Sequence, residues 1–318
     1  MKRREFIVGL LGTSLWSSAV NSQPRVPTVG ILLAGNRDPA PLLAVFKDEM
    51  QRLGYLEGQN IRIDLRSAQG RAEALPRLAS ELVERKVDVI LAWLTPAVRA
   101  AKQATTQIPI VMAGAGDPVA TGLVASLVRP GGNITGMGGI TDLIGKNVEL
   151  IRELLPSARK LAALCNATDS YTKPFLEQIE VASSKTGFEL LTVMIPGPDD
   201  LESSFSRVSR DGVDVVLVQP SLPVRRAAEL AVAARLPAVS PLEGFVSDGG
   251  LLSYAGRSSD QFRRATQYVD KILKGARPAD LPIQLPTQFD LKINLRTAKA
   301  IGLAIPPGML ARADEVLE

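Results

Sequence analysis

Two sets of side chains in this sequence have the chemistry to hold a small polar solute without making or breaking a bond. The first half offers Asn36, Arg37, Trp93, Thr95, Ala115 and Asp117. The second offers Asn166, Asp169, Tyr171, Gln219, Ser221, Glu243, Phe245 and Tyr254. A hydroxyl among the N–H groups of a helix start holds an anionic group. A carboxylate takes a cation, an aromatic face takes an apolar group, and a side-chain amide such as Asn166 both donates and accepts. Plainer readings stand beside these. Thr95 before Pro96 reads as an N-cap with proline at the first helical position. Trp93 reads as ordinary packing, Asp117 before Pro118 as a cap, Arg37 as a lone surface charge, and Tyr254 as packing between segments.

The remaining chemistry narrows by exclusion. The chain has no histidine, which removes His-based triads, histidine metal ligands and histidine general bases together. Its single cysteine, Cys165, follows an apolar run and reads as a small buried residue rather than a nucleophile. No G-x-G-x-x-G follows the first predicted strand and no G-x-x-x-x-G-K-[ST] occurs. Neither a cofactor nor a metal is expected, and an enzyme of this sequence would have to work with Asp and Glu. The formal net charge is +4. Lys2, Arg3, Arg4 and Glu5 contribute +2 of it, leaving a mature charge of +2 with scattered basic residues. That balance argues against nucleic acid as a partner.

These residues lie in loops after apolar runs. Strands are predicted over 29–33, 61–65, 87–92, 108–113 and 134–136, with helices over 41–53, 71–84 and 97–106. A helix over 145–155 leads into a second series. Its strands are 161–164, 189–194, 213–218 and 237–240, and its helices 174–186, 201–209 and 225–234. The halves echo each other: VDVIL at 87–91 and VDVVL at 213–217, Ile108-Pro109 and Leu236-Pro237, Gly54-Tyr55 and Gly187-Phe188. With 318 residues, 46% of them hydrophobic, the chain has material for two ordinary cores. The fold class is α/β, as two similar doubly wound parallel-sheet lobes with a ligand cleft between them at the carboxyl ends of the strands. The tail departs from alternation, with strands at 250–254, 281–285 and 289–294 and helices at 259–274 and 295–301. The long one buries Phe262, Ala265, Tyr268, Val269 and Ile272.

Several longer motifs occur in order: IPIV at 108–111, DPV-x-x-GLVASL at 117–127, RPGGN-x-TG at 129–136, GGLLSYAG at 249–256, the run from Tyr268 to Leu303, and IPPGMLARADEV at 305–316. In these the chain resembles the substrate-binding proteins of bacterial ABC importers, in the branch with type I periplasmic-binding architecture. The resemblance implies a multi-strand hinge crossed near 137–145, 255–260 and 282–290. One lobe would be 27–140 plus 258–285 and the other 141–257, with 286–318 in the second lobe or returning to the first. It also implies a monomer that closes around an amino acid or related small carboxylate, with Glu243 facing the ligand's ammonium group, and delivers it to an ABC permease in the inner membrane.

The first 22 residues read as a cleaved export signal, cut after Ala19 or Ser22. Arg3-Arg4 before Phe6-Ile7 resembles the twin-arginine signal, and a general secretory signal is the alternative. The expected location is the periplasm. A periplasmic sensor feeding a membrane receptor would use the same lobes. Repressors on this fold carry an N-terminal helix-turn-helix, where this chain has an export signal.

Overall fold

The computed structural model describes residues 25–35, 38–139 and 143–318. The predicted export signal, Asn36 and Arg37 lie outside the described residues.

The first lobe is built from β1 (Thr28–Leu33), α1 (Ala40–Arg52), β2 (Arg62–Ser67), α2 (Leu75–Glu84), β3 (Val89–Trp93), α3 (Thr95–Ala104), β4 (Ile110–Ala115) and β5 (Ile134–Gly138). Its parallel sheet runs β2-β1-β3-β4-β5. β3 and β4 are buried at nearly every position, as strands covered on both faces must be.

The second lobe opens with α4 (Leu143–Leu154) and repeats the plan through β6 (Lys160–Asn166), α5 (Thr172–Thr186), β7 (Glu189–Ile195), α6 (Leu201–Arg210), β8 (Val215–Val218), α7 (Val224–Ala233), β9 (Ala238–Val239) and β10 (Leu252–Gly256). Read from β7, its sheet runs β7-β6-β8-β9-β10, the first lobe's order with new strands. The VDVIL and VDVVL motifs enter equivalent central strands, β3 and β8.

Next comes α8 (Ser258–Leu273), which leaves the second lobe and packs on α1 and on β3, β4 and β5 of the first. Its predicted apolar face is buried, with Phe262, Ala265 and Val269 fully enclosed. The chain then returns for β11 (Phe289–Asn294), α9 (Leu295–Ile301), α10 (Pro307–Leu310) and β12 (Glu315–Leu317). β11 pairs antiparallel with β10, and β12 pairs parallel with β11. The final segment therefore stays with the second sheet and does not return to the first lobe.

Two other expectations change. Residues 281–285 form no strand among the described elements. Pro282 and Pro286 supply no N–H to a ladder, and the segment is held one bond at a time. Ile283 N–H donates to Leu127 O at 2.7 Å, Gln284 N–H to Gly136 O at 2.9 Å, and Gly138 N–H to Gln284 O at 2.8 Å. Residue 71 does not begin a helix: a 3₁₀ turn over Ala72–Ala74 precedes α2.

Candidate functional site

The sheets face each other with their strand ends, and between them lies a cavity of about 100 Å³. Four helices, α3, α4, α5 and α8, begin beside it: Leu94, Thr95, Leu143, Tyr171 and Ser258 all line its wall. Each start presents backbone N–H groups and the positive end of a helix dipole.

On the first-lobe side, β3 ends at Trp93 and the chain turns through Leu94 at φ 68°, a left-handed conformation that leucine rarely adopts. The turn puts Leu94, not Thr95, at the N-cap of α3. Thr95 does not cap its own helix. Its Oγ1 accepts the Gly116 N–H at 3.0 Å and so ties α3 to the loop after β4. Trp93 meets Phe262 of α8 edge to face, ring centroids 5.8 Å apart, and its remaining surface faces the cavity. Ala115 lines the same wall. Asp117 lies outside it, with Oδ1 accepting the Ala120 N–H at 2.9 Å as a local cap.

On the second-lobe side the centre is Asp169. Its Oδ2 accepts from Ser221 Oγ at 2.6 Å and from Gln219 Nε2 at 3.0 Å, and its Oδ1 from the Tyr171 N–H at 2.9 Å. The Gln219 amide has one orientation because its Oε1 accepts both the Asn166 N–H and the Thr172 hydroxyl. Burial raises the Asp169 carboxyl above its ordinary value, against the opposing pull of these hydrogen bonds and of the Arg99 charge. Asp169, Tyr171, Gln219 and Ser221 all line the cavity. Asn166 stands behind them, its Oδ1 occupied by Thr168.

Glu243 reaches the cavity, but both of its oxygens are engaged. Oε2 accepts the Ser258 N–H at 2.6 Å, and Oε1 accepts from Lys292 Nζ at 3.1 Å. It pins the start of α8 at a crossing between lobes. Tyr254 is not at the cavity; it stacks on Phe289 across β10 and β11 with centroids 5.9 Å apart. Phe245 is fully buried in the core.

The cavity also takes in Gly114, Gly116, Gly139, Gly256, Ser258, Gln261 and Pro286, which the strand-end rule missed. Ser258, Gln261 and Pro286 come from the crossing segments, and the glycines offer no side chain to notice. Gly139 and Gly256, within predicted crossings, were the available signal.

Cys165 sits behind this site with no exposed surface. Burial, with the Asp169 charge nearby, pushes its thiol up to about 12. At pH 8 the native protein is therefore expected to leave a thiol-titrating disulfide reagent unreacted, and denatured protein to react with one equivalent. Rapid native reaction would show that the β6 end opens to solvent.

Residues 42–317 match the ABC transporter substrate binding protein family. A tyrosine-binding protein from Clostridioides difficile (strain R20291) is 29% identical over 264 residues, 81% of this chain and 75% of that one. The crystal structure of an ABC domain in complex with L-Trp from Streptococcus pneumonia superposes with a TM-score of 0.83 at 25% identity, covering 92% of this chain and 99% of that one. A ligand-free, open substrate binding protein with adhesive properties from Clostridium difficile gives 0.62 at 26% identity, over 92% and 99% of the two chains. At nearly matched identity, the whole chain therefore superposes better on the structure holding L-Trp than on the open one. With its two lobes, its interlobe cavity and a match from the first helix to the last strand, the chain belongs to the ABC transporter substrate binding protein family.

Proposed function

We propose that the cavity captures a free amino acid with an aromatic side chain outside the cytoplasm, and that the closed protein delivers it to an ABC permease in the inner membrane. One observation carries the ligand class. Among the described residues the cavity wall includes two carboxylates, Asp169 and Glu243, and neither lysine nor arginine. A closed site of that charge favours a cationic group on its ligand. Because Lys292 already pairs with Glu243, Asp169 is the carboxylate assigned to the ammonium group. The start of α3 takes the carboxylate in the manner of a helix N-terminus, and Trp93 borders the side chain. The named ligands of the two relatives, tyrosine and L-Trp, have this form. The twin-arginine-like start is the basis for assigning export to the periplasm, and no helix among the described residues is long and apolar enough to cross a membrane. The wall offers hydrogen-bonding groups for binding, and the reading assigns no bond-making step.

The test is thermal unfolding of residues 23–318 with aromatic amino acids, aliphatic amino acids, and arylalkyl amines and acids that each lack one of the two polar groups. An aromatic amino acid at a hundredfold its dissociation constant is expected to stabilise by about 2.7 kcal/mol. Amines and acids are expected to do far less. Stabilisation by aryl acids equal to that by the amino acids would remove Asp169 from the ammonium role and with it this reading.

A further inference from the structure

We infer that Gln261 reads a hydrogen-bonding atom on the ring of the bound side chain, so that the protein prefers an aromatic amino acid carrying a ring O–H or N–H over phenylalanine. This rests on the aromatic amino-acid reading above.

Gln261 lies in the first turn of α8, where its backbone N–H closes on Arg257 O at 3.1 Å. Its half-buried side chain enters the cavity wall. The amide is seated between two glycines from different sheets. Oε1 lies 2.5 Å from the point a Cβ on Gly114 would occupy, and Nε2 lies 3.0 Å from the corresponding point on Gly256. A side chain at Gly114 would displace the amide, and one at Gly256 would crowd it. Trp93 Cδ1 is 3.8 Å from the same Gly114 point, so amide and indole border one corner of the cavity. Much of the wall's other hydrogen-bonding capacity is already engaged by the protein: Thr95 holds Gly116, Gln219 and Ser221 hold Asp169, and Glu243 holds Ser258 and Lys292. No hydrogen bond joins the Gln261 amide to another described residue.

In a closed cavity a polar group left unpaired costs more than its hydrogen bond would have gained. A plain phenyl ring beside Trp93 would close over the amide without satisfying it. A phenol hydroxyl or an indole N–H would donate to Oε1, and a hydroxyl could also accept from Nε2. A site built to bond a ring donor rejects the analogue that lacks it.

The experiment is calorimetric titration of tyrosine, tryptophan and phenylalanine into the wild-type protein, Gln261→Met and Gln261→Asn, each first shown to melt cooperatively. Wild type is expected to bind tyrosine or tryptophan at least about tenfold more tightly than phenylalanine. Gln261→Met fills the same space without polar atoms and is expected to bring that ratio close to one. Gln261→Asn keeps the amide but shortens the arm by one methylene, and is expected to lose most of the preference. Equal wild-type binding of the three, or a ratio unchanged in both variants, overturns the role of Gln261 and leaves the aromatic amino-acid reading standing. Failure of all three to bind folded wild type overturns both.

Discussion

Gly116→Ala is expected to weaken ligand binding by about ten- to hundredfold while the ligand-free protein melts as wild type. Gly116 belongs to the loop after β4 in the first lobe, and a Cβ there would stand 2.6 Å from three ring carbons of Tyr171, which belongs to the second. The Tyr171 ring is buried and backed by Phe175, centroids 6.0 Å apart, so it has little room to retreat. Gly116 has no left-handed φ, so alanine is unstrained there until the lobes approach. The conflict is thus confined to the closed arrangement. Forcing a methyl group into a packed contact costs about 1–3 kcal/mol, and a penalty on the binding-competent state lowers apparent affinity by the corresponding factor. Calorimetry gives the affinity, and small-angle scattering with saturating ligand gives the degree of closure. Combining the change with Tyr171→Ala should restore part of the loss, because the two variants share one contact. Wild-type affinity in Gly116→Ala would mean that the Tyr171–Gly116 contact does not limit closure.

Gly136→Ala is expected to act on the fold itself, with a loss of about 3–5 kcal/mol from overpacking and backbone strain combined. Gly136 lies in β5 at φ 118°, opposite Met112 in the parallel pair with β4. A Cβ there would overlap the Met112 carbonyl oxygen and lie 2.7 Å from the Met112 nitrogen. Both are backbone atoms of a buried strand and cannot step aside as a side-chain end can. Gly136 O also accepts the Gln284 N–H, so displacing β5 disturbs the third crossing as well. Urea unfolding should show a lower midpoint with an unchanged slope. A shift worth less than about 1 kcal/mol would show that β5 can pair in another register.

What the sequence made legible was whatever repeats or alternates. VDVIL and VDVVL each enter a strand buried on both faces, and burial on both faces is what a continuous apolar run encodes. The strand-end rule brought Trp93, Thr95, Ala115, Tyr171, Gln219, Ser221 and Glu243 to the cavity wall because parallel sheets present those ends to one edge. It also gathered Asp117 and Asn166, each of which turns a side-chain oxygen onto an N–H two or three residues away. Local caps and ligand contacts use the same residue types, and spacing alone does not separate them. The remaining site residues depend on long-range approach. Lys292 reaches Glu243 from 49 residues later, Gln261 meets Gly114 from the far side of a whole lobe, and Gly116 matters because of the ring set against it. Such juxtapositions have no period to read.

The placement of α8 bears on how the chain comes to be made. β3, β4 and β5 are complete by Gly138, yet the helix that covers them ends at Leu273, and β6 to β10 are encoded in between. Emerging amino end first, the early sheet keeps the ground around Trp93 and Met137 bare until most of the later sheet has been synthesised. The later sheet in turn waits for β11 and β12, which follow α8. Neither half can be finished on its own schedule, and a cut at residue 257 would leave a first piece with both faults at once, its early sheet without a roof and its later sheet without its last two strands. The molecule is two lobes to a ligand and a single unit of assembly to the cell.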